Sequence, residues 1–121
     1  MGDGLDITVR RERGVVIAAV TGEIDISTVT RLRECLSELA DNGRTLIVDL
    51  NRVTFIDSAG LAALVGAARR ADAHGGSVHA VCARQATRKL LWLTGVDRRI
   101  PLAATVDGAL MFLAASRDAP G

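Results

Sequence analysis

Strand-like and helix-like segments alternate along nearly the whole chain, and this alternation restricts the folds that it can adopt. Residues 5–10 alternate apolar and polar side chains, and residues 15–20 are almost continuously apolar. Because only a short segment containing Gly14 separates them, the two runs predict a hairpin. Residues 45–50 and 77–83 are also mostly apolar, which is typical of strands that are covered on both faces of a parallel sheet.

Helical spacing marks the segments between the strands. In the first of them, apolar side chains recur every three or four residues, at Val29, Leu32, Leu36 and Leu39. Ser27 is placed to cap this helix, and the Asn-Gly pair at residues 42–43 is expected to end it. Further helices are predicted over residues 61–74, 86–93 and 106–115, with a short strand around residues 99–102.

The resulting element order is β-β-α-β-α-β-α-β-α, with no internal repeat or linker. It predicts a single α/β domain over residues 1–121, with a mostly parallel sheet, right-handed crossovers and an N-terminal hairpin strand. The folded core is expected to span residues 5–115 or so, and residues 117–121 to form a short flexible tail. Aromatic residues make up only 2% of the chain, so the core must be aliphatic.

One stretch, residues 53–60, reads VTFIDSAG and joins the end of a strand to the start of a helix. Functional residues of parallel sheets collect beyond the carboxyl ends of strands, where Ser58 is expected to lie beside the turn at residues 21–25. Two interpretations remain open on local grounds. Asp57-Ser58 caps the helix, which the local pattern favours, or Ser58 presents its hydroxyl to another protein. A phosphate on Ser58 would suit the positive end of a helix dipole.

Enzymatic chemistry finds little support in the sequence. A nucleophile elbow needs glycine two positions before the serine, and Ile56 stands there instead. His74 and His79 are expected to lie too far from Ser58 to activate it. Asp25, Asp49 and Asp57 are possible magnesium ligands, but no strand end carries the paired acids of a good site, and turns or caps are the preferred roles. We therefore expect no catalytic residues, no metal site and no cofactor.

Charge and hydropathy narrow the range of partners and compartments. Fifteen basic and fourteen acidic residues nearly cancel, which argues against nucleic-acid or anionic-membrane partners. No signal peptide opens the chain, and its longest apolar run is far too short to span a bilayer, so a soluble cytoplasmic protein is expected. Cys35 and Cys82 lie among apolar residues and are predicted to be buried free thiols.

Residues 55–61, which read FIDSAGL, closely resemble the signature of STAS-domain anti-sigma factor antagonists. Three other segments are similar to landmarks of that family: TGEID at residues 21–25 with Thr28 shortly after, LIVDL at residues 46–50, and LTGV at residues 93–96. The resemblance runs from about residue 5 to residue 113, with the four motifs in the family's order and spacing.

The resemblance implies a non-enzymatic partner-switching protein of bacterial transcription control, as in stress responses or sporulation. The unphosphorylated form would bind an anti-sigma factor that is itself a serine kinase, and so release a sigma factor. The kinase would phosphorylate Ser58 and end the complex, and a serine phosphatase would reverse the modification. Asp57, Ala59 and Gly60 of the signature, with Asp25 and Thr28 of the neighbouring turn, would form the partner-binding surface. The alternative role within the family is a STAS adaptor of a lipid-transport or stress-sensing complex that is not controlled by phosphorylation.

Overall fold

A five-stranded sheet forms the centre of the computed structural model, which describes residues 4–118 and the side chains of that range through residue 116. The strands are β1 (Leu5–Glu12), β2 (Val15–Ile24), β3 (Thr45–Ile56), β4 (Ser77–Val81) and β5 (Leu102–Ala103). The helices are α1 (Val29–Ala40), α2 (Ser58–Ala73), α3 (Gln85–Leu93), α4 (Val96–Arg99) and α5 (Val106–Asp118). The strands lie in sequence order, with β1 antiparallel to β2 and all other neighbours parallel. The predicted α/β fold with its N-terminal hairpin strand is confirmed.

The hairpin between β1 and β2 turns over two residues. Glu12 pairs with Val15, and both Arg13 (φ 52°) and Gly14 (φ 77°) adopt positive φ. Such a turn matches the right-handed twist of the two strands that it connects. The glycine at this position therefore fixes the register of the edge strand.

Helices cover the two faces of the sheet unequally. Helices α1 to α4 pack on one face, where Leu32, Leu36, Leu64 and Leu91 join the inward side chains of the strands in the main core. Of the described helices, only α5 packs on the other face, through a smaller cluster that includes Ala109 and Leu110. The core is aliphatic, as the composition predicts.

Strands β2 and β3 continue further than their apolar runs suggest. Residues 21–24 were expected to form a turn, but they belong to β2, and residues 51–56 extend β3 to twelve residues. Their pairing shifts register twice, between Ala19 and Thr21 and again between Gly22 and Glu23. These irregularities explain the mixed polar and apolar pattern, because a bulged strand does not keep a simple alternation of faces.

Several predicted boundaries at the C-terminal end of the chain are wrong. Arg99 lies in the short helix α4 and not in a strand, because the Ile100 N–H bonds to the Val96 carbonyl, 2.9 Å away. Pro101 then breaks the helix, and β5 is left with two residues. Helix α5 runs to Asp118, so residues 117–118 belong to it; the rest of the predicted tail, residues 119–121, lies outside the described residues.

Three other features differ from, or add to, what the sequence suggests. Cys82 is buried as predicted, but Cys35 on α1 is only half-buried. Helix α2 begins at Ser58, three residues before the predicted start. Trp92, the chain's single tryptophan, lies on the surface of α3 and is 64% exposed. Among residues 4–118, no helix is both long and apolar enough to cross a membrane.

Candidate functional site

The carboxyl ends of β2 and β3 bring two acidic turns side by side. Ile24 and Ile56 are paired as the last residues of their strands, and Asp25 and Asp57 follow them directly. The Asp57 N–H donates a hydrogen bond to the Ile24 carbonyl at 3.2 Å, which continues the pairing past the strand ends. Adjacent parallel strands are only about 4.8 Å apart. The turn at residues 25–28 and the start of α2 therefore share one edge of the sheet, as the sequence predicts.

Asp57 caps helix α2. Its backbone is extended, and its Oδ1 accepts hydrogen bonds from the N–H groups of Ala59 (3.0 Å) and Gly60 (3.2 Å). These are two of the N–H groups that have no partner inside a helix. Ser58 is the first helical residue and is exposed, and within residues 4–118 its hydroxyl makes no hydrogen bond. The capping and the free hydroxyl thus belong to two different residues of the pair.

Gly60 allows α2 to start directly against the two strand ends. A Cβ atom built at this position would lie 2.6 Å from Ile24 Cγ2 and 2.7 Å from Ile56 Cγ1. Gly60 is buried and Ala59 is half-buried. Gly60 therefore shapes the site from beneath and offers no side chain to a partner.

Asp25 organises the neighbouring turn. Its Oδ1 accepts hydrogen bonds from the Ser27 N–H (2.9 Å), the Ser27 hydroxyl (2.6 Å) and the Thr28 N–H (3.2 Å). The Ser27 hydroxyl is the main cause that lowers the pKa of the Asp25 carboxyl from its ordinary 3.8. The prediction that Ser27 caps α1 is wrong. Thr28 holds the capping position without a side-chain cap bond. The Val29 N–H donates to the Asp25 backbone carbonyl at 2.8 Å, while the Asp25 carboxylate accepts hydrogen bonds from the turn before the helix.

Thr28 ties this turn to the end of β2. Its side chain is buried, with the residue 2% exposed, and its hydroxyl donates to the Glu23 carbonyl at 2.8 Å. The same oxygen accepts a hydrogen bond from the Asp25 N–H at 3.0 Å. Thr28 therefore positions the turn from below, with almost no surface of its own for a partner to touch.

Sequence reasoning overlooked the apolar part of this edge. Ile26, between Asp25 and Ser27, is 80% exposed, and Phe55 near the end of β3 is 50% exposed. Glu23, also exposed, pairs with Phe55 across the two strands. A large apolar residue inside a polar turn was the available signal for Ile26. We use the term Ser58 surface for Glu23, Asp25, Ile26, Phe55, Asp57 and Ser58.

The groups considered for enzymatic chemistry are dispersed. His74 follows the last residue of α2, at the opposite end of the helix from Ser58, and His79 lies within β4. Asp49 lies within β3 and accepts a hydrogen bond from the Asn51 N–H at 3.0 Å, apart from Asp25 and Asp57. Among the described residues, no group of three or more His, Cys, Asp or Glu side chains could hold a metal ion.

Comparison with known proteins assigns the family. A sequence profile described as the STAS domain matches residues 6–109, which is most of the chain. The chain belongs to the STAS domain family. Within that family it is similar to proteins named as anti-sigma factor antagonists.

Two such relatives come from different bacteria. The anti-sigma-F factor antagonist RsfB of Mycobacterium tuberculosis is 36% identical over 111 residues, which cover 89% of this chain and 88% of the relative. The anti-sigma-B factor antagonist of Bacillus subtilis is 28% identical over 106 residues, covering 88% and 97% of the two chains.

Solved structures show the same architecture. An anti-sigma factor antagonist from Mycobacterium paratuberculosis superposes with a TM-score of 0.83 at 32% identity and covers 98% of both chains. The anti-sigma factor antagonist SpoIIAA in its unphosphorylated form has a TM-score of 0.74 at 22% identity, covering 91% of this chain and 97% of SpoIIAA. The second likeness establishes the fold alone.

Proposed function

We propose that this chain is an anti-sigma factor antagonist whose activity is switched by phosphorylation of Ser58. Unphosphorylated, it binds an anti-sigma factor that is a serine kinase, and a sigma factor is released for transcription. The kinase transfers a phosphoryl group to the Ser58 hydroxyl, the complex separates, and a serine phosphatase restores the binding form. The chain is the substrate of both enzymes and catalyses neither step.

The single observation that supports this proposal most is the state of the Ser58 hydroxyl. It is exposed, makes no hydrogen bond within residues 4–118, and stands on the first turn of a sixteen-residue helix. Because Asp57 does the capping, Ser58 is not needed to hold the helix start. A kinase can therefore modify it without breaking a contact of the fold, and the helix N-terminus tolerates the added anion.

The side chains around Ser58 give a physical reason why phosphorylation would separate a complex. Ile26 and Phe55 offer exposed apolar area that a partner can bury, and Glu23, Asp25 and Asp57 make the same surface acidic. A phosphate adds about two negative charges at its centre. On docking, these charges must lose water while facing an already acidic neighbourhood. A penalty of about 3–4 kcal/mol weakens a complex several hundredfold.

Thr28 and Gly60 enter this proposal as positioning residues. Both are buried, Thr28 beneath the Asp25 turn and Gly60 beneath the start of α2. The surface that a partner touches would thus consist of the Ser58 surface together with Ala59.

The test uses the anti-sigma factor kinases encoded in the same genome, purified and incubated one at a time with this chain and Mg-ATP. We expect one kinase to add one phosphoryl group, located at Ser58 by peptide mass spectrometry. The Ser58→Ala variant should remain unmodified. Ser116→Ala is the matched control, because Ser116 is an exposed serine on α5, and it should be modified like the wild type.

Binding to the same kinase is then measured by calorimetry. The wild-type chain and Ser58→Ala should bind alike, and the phosphorylated chain at least a hundredfold more weakly. Equal binding of the phosphorylated and unphosphorylated chains would contradict the switch. If no kinase modifies Ser58, and an ABC transporter ATPase or stress-sensing scaffold binds Ser58→Ala and Ser58→Glu equally, the adaptor role is the correct one.

A further inference from the structure

A cavity of about 110 Å³ lies beside α5, where the helix meets β4, β5 and the segment before β5. Its lining residues are His79, Ala80, Pro101, Leu102, Ala103, Ala109 and Phe112. Helix α5 packs on the face of the sheet opposite α1 and α2. The cavity is therefore separate from the Ser58 surface, and a ligand bound in it would be independent of the proposed function.

The cavity exists because small residues meet at this junction. Ala103 of β5 and Ala109 of α5 leave space that longer side chains would fill. Ala80 of β4 borders the cavity as well, but its side chain packs in the main core on the other face of the sheet. The surrounding backbone is already paired: the Ala80 N–H bonds to the Pro101 carbonyl at 2.9 Å, and the Cys82 N–H to the Ala103 carbonyl at 2.8 Å. Walls of this kind present mainly apolar atoms, and apolar cavities hold water poorly.

His79 is the exception in this lining. It is 7% exposed, its Nε2 lies 3.1 Å from the Ser77 hydroxyl oxygen, and its ring stands 6.1 Å from that of Phe112. Within residues 4–118, Nδ1 makes no hydrogen bond. Every fully buried side-chain nitrogen or oxygen of the described residues has a partner, so the unpaired Nδ1 must be accessible to solvent or to a ligand.

The protonation of His79 determines which group suits Nδ1. Burial lowers the pKa of the imidazole from its ordinary 6.5, so the ring is neutral near pH 7. One ring nitrogen then donates and the other accepts, and the Ser77 hydroxyl can pair with Nε2 in either role. Nδ1 is consequently free to donate or to accept. A hydroxyl group complements both states, because it can also do either.

We propose that this cavity binds a small neutral molecule with an apolar body and one hydroxyl group, which pairs with Nδ1 of His79. A closed cavity of roughly 150 Å³ accommodates benzene. This one is smaller but opens to solvent, so the apolar body has at most about six non-hydrogen atoms. The half-exposed ring of Phe112 forms the outer rim, through which the molecule reaches His79 from solvent.

The test is a titration of the isotope-labelled full chain with phenol and with benzene, followed by two-dimensional NMR. Phenol should cause saturable shifts at His79, Ala103, Ala109 and Phe112, with a Kd on the order of 1 mM for so small a ligand. Benzene should bind about fivefold more weakly, which corresponds to the loss of one ordinary hydrogen bond. The absence of saturable shifts up to the solubility limit, or shifts spread over the whole surface, would overturn the proposal.

Two variants locate the site and identify the hydrogen bond. Ala109→Leu fills the cavity and should abolish the shifts, whereas Ala115→Leu, the same change on the exposed side of α5, should keep them. His79→Phe removes the hydrogen bond but keeps an aromatic wall, so phenol and benzene should bind equally well. Its folding is checked from the same spectra. If Ala109→Leu still binds phenol, the binding site is not this cavity. If His79→Phe still binds phenol more tightly than benzene, the hydroxyl group does not pair with His79.

Discussion

Asp57 and Gly60 perform separate tasks within four residues of the signature. The Asp57 carboxylate satisfies two amide groups at the start of α2, and Gly60 lets that start approach the ends of β2 and β3. Ser58, between them, is left with an exposed hydroxyl. The signature therefore combines a rigid helix start with a side chain that the fold does not use, and each part can be tested by a single substitution.

Replacing Gly60 by alanine should destabilise the chain by about 1–3 kcal/mol, because the added Cβ would overlap Ile24 and Ile56. Gly66→Ala is the matched control on the same helix. A Cβ there meets nothing within 4 Å, so that change should stabilise the chain by about 1 kcal/mol. Urea unfolding followed by circular dichroism measures both. If the two substitutions changed the unfolding free energy equally, the close contact of Gly60 with Ile24 and Ile56 would not be important for stability.

Removing the cap, as in Asp57→Ala, should cost about 1 kcal/mol of unfolding free energy. Asp57→Asn should retain most of the stability, because asparagine is an equally good cap. Asp72→Ala, an exposed acid near the other end of α2, is the control and should be neutral or slightly stabilising, since an acid there opposes the helix dipole. The same urea titrations apply. An unchanged stability in Asp57→Ala would mean that the cap bonds do not hold the helix start.

The connection from β2 to α1 depends on polar contacts, most of them partly buried. Thr28 donates to the Glu23 carbonyl and accepts from the Asp25 N–H, while the Asp25 carboxylate receives the amides of Ser27 and Thr28. The turn is thereby held in one conformation next to the start of α2. The exposure of Ile26 is a consequence, since the polar contacts inside the turn leave its side chain on the outside.

Thr28→Val keeps the shape of the side chain but leaves the Glu23 carbonyl without its donor, and it should cost about 1–3 kcal/mol. Thr28→Ser preserves the hydroxyl and should recover most of that loss. Thr30→Val on the exposed side of α1 is the matched control and should change stability by less than about 0.5 kcal/mol. A Thr28→Val protein as stable as the wild type would show that the turn does not depend on this hydroxyl.

Local patterns predicted the central elements well and the edge elements poorly. Runs such as residues 45–50 have one reasonable interpretation, because a continuous apolar run between helical segments needs cover on both faces. Residues 96–103 were misassigned, since α4 and β5 are too short to show a period and depend on where Pro101 and the packing of Val96 place them. The juxtaposition of Asp25 and Asp57 was predicted from topology, whereas the role of Asp25 in organising its turn requires a geometry that residue types alone do not specify.

The two sides of the sheet are built differently, and this affects the whole molecule. In the part of the chain that the structure describes, four helices bury the main core, whereas α5 alone covers the second face and leaves His79 beside a cavity. His79 is thus a buried titratable group on the less densely covered side. Its burial links the folding stability of the chain to pH in a range where carboxylates do not titrate.

Burial lowers the pKa of folded His79 from 6.5, the value expected in the unfolded chain. Below pH 6.5 the unfolded chain binds a proton that the folded chain does not. The unfolding free energy is therefore highest above that pH and falls as pH drops towards the folded pKa, by at most about 1.4 kcal/mol per pH unit. The pKa of Asp25 is lowered mainly by its bond to Ser27, and the pKa of Asp41 mainly by its bond to Arg70. These two carboxylates therefore lose their contributions to the unfolding free energy only at more acidic pH.

Urea unfolding at a series of pH values between 5 and 8 or so measures this dependence. His79→Gln should flatten it, and the exposed His74→Gln should not. If the unfolding free energy of His79→Gln still fell with decreasing pH as in the wild type, a group other than His79 would be the cause.

The position of Trp92 determines what tryptophan fluorescence can report about this protein. The chain has one tryptophan and no tyrosine, and that tryptophan is already mostly in water in the folded state. Its emission should therefore shift little on complete unfolding, and a fluorescence melt would miss most of the transition. Any molecule that covers α3 would change the emission strongly, so the indole acts as a built-in probe for contacts on that helix.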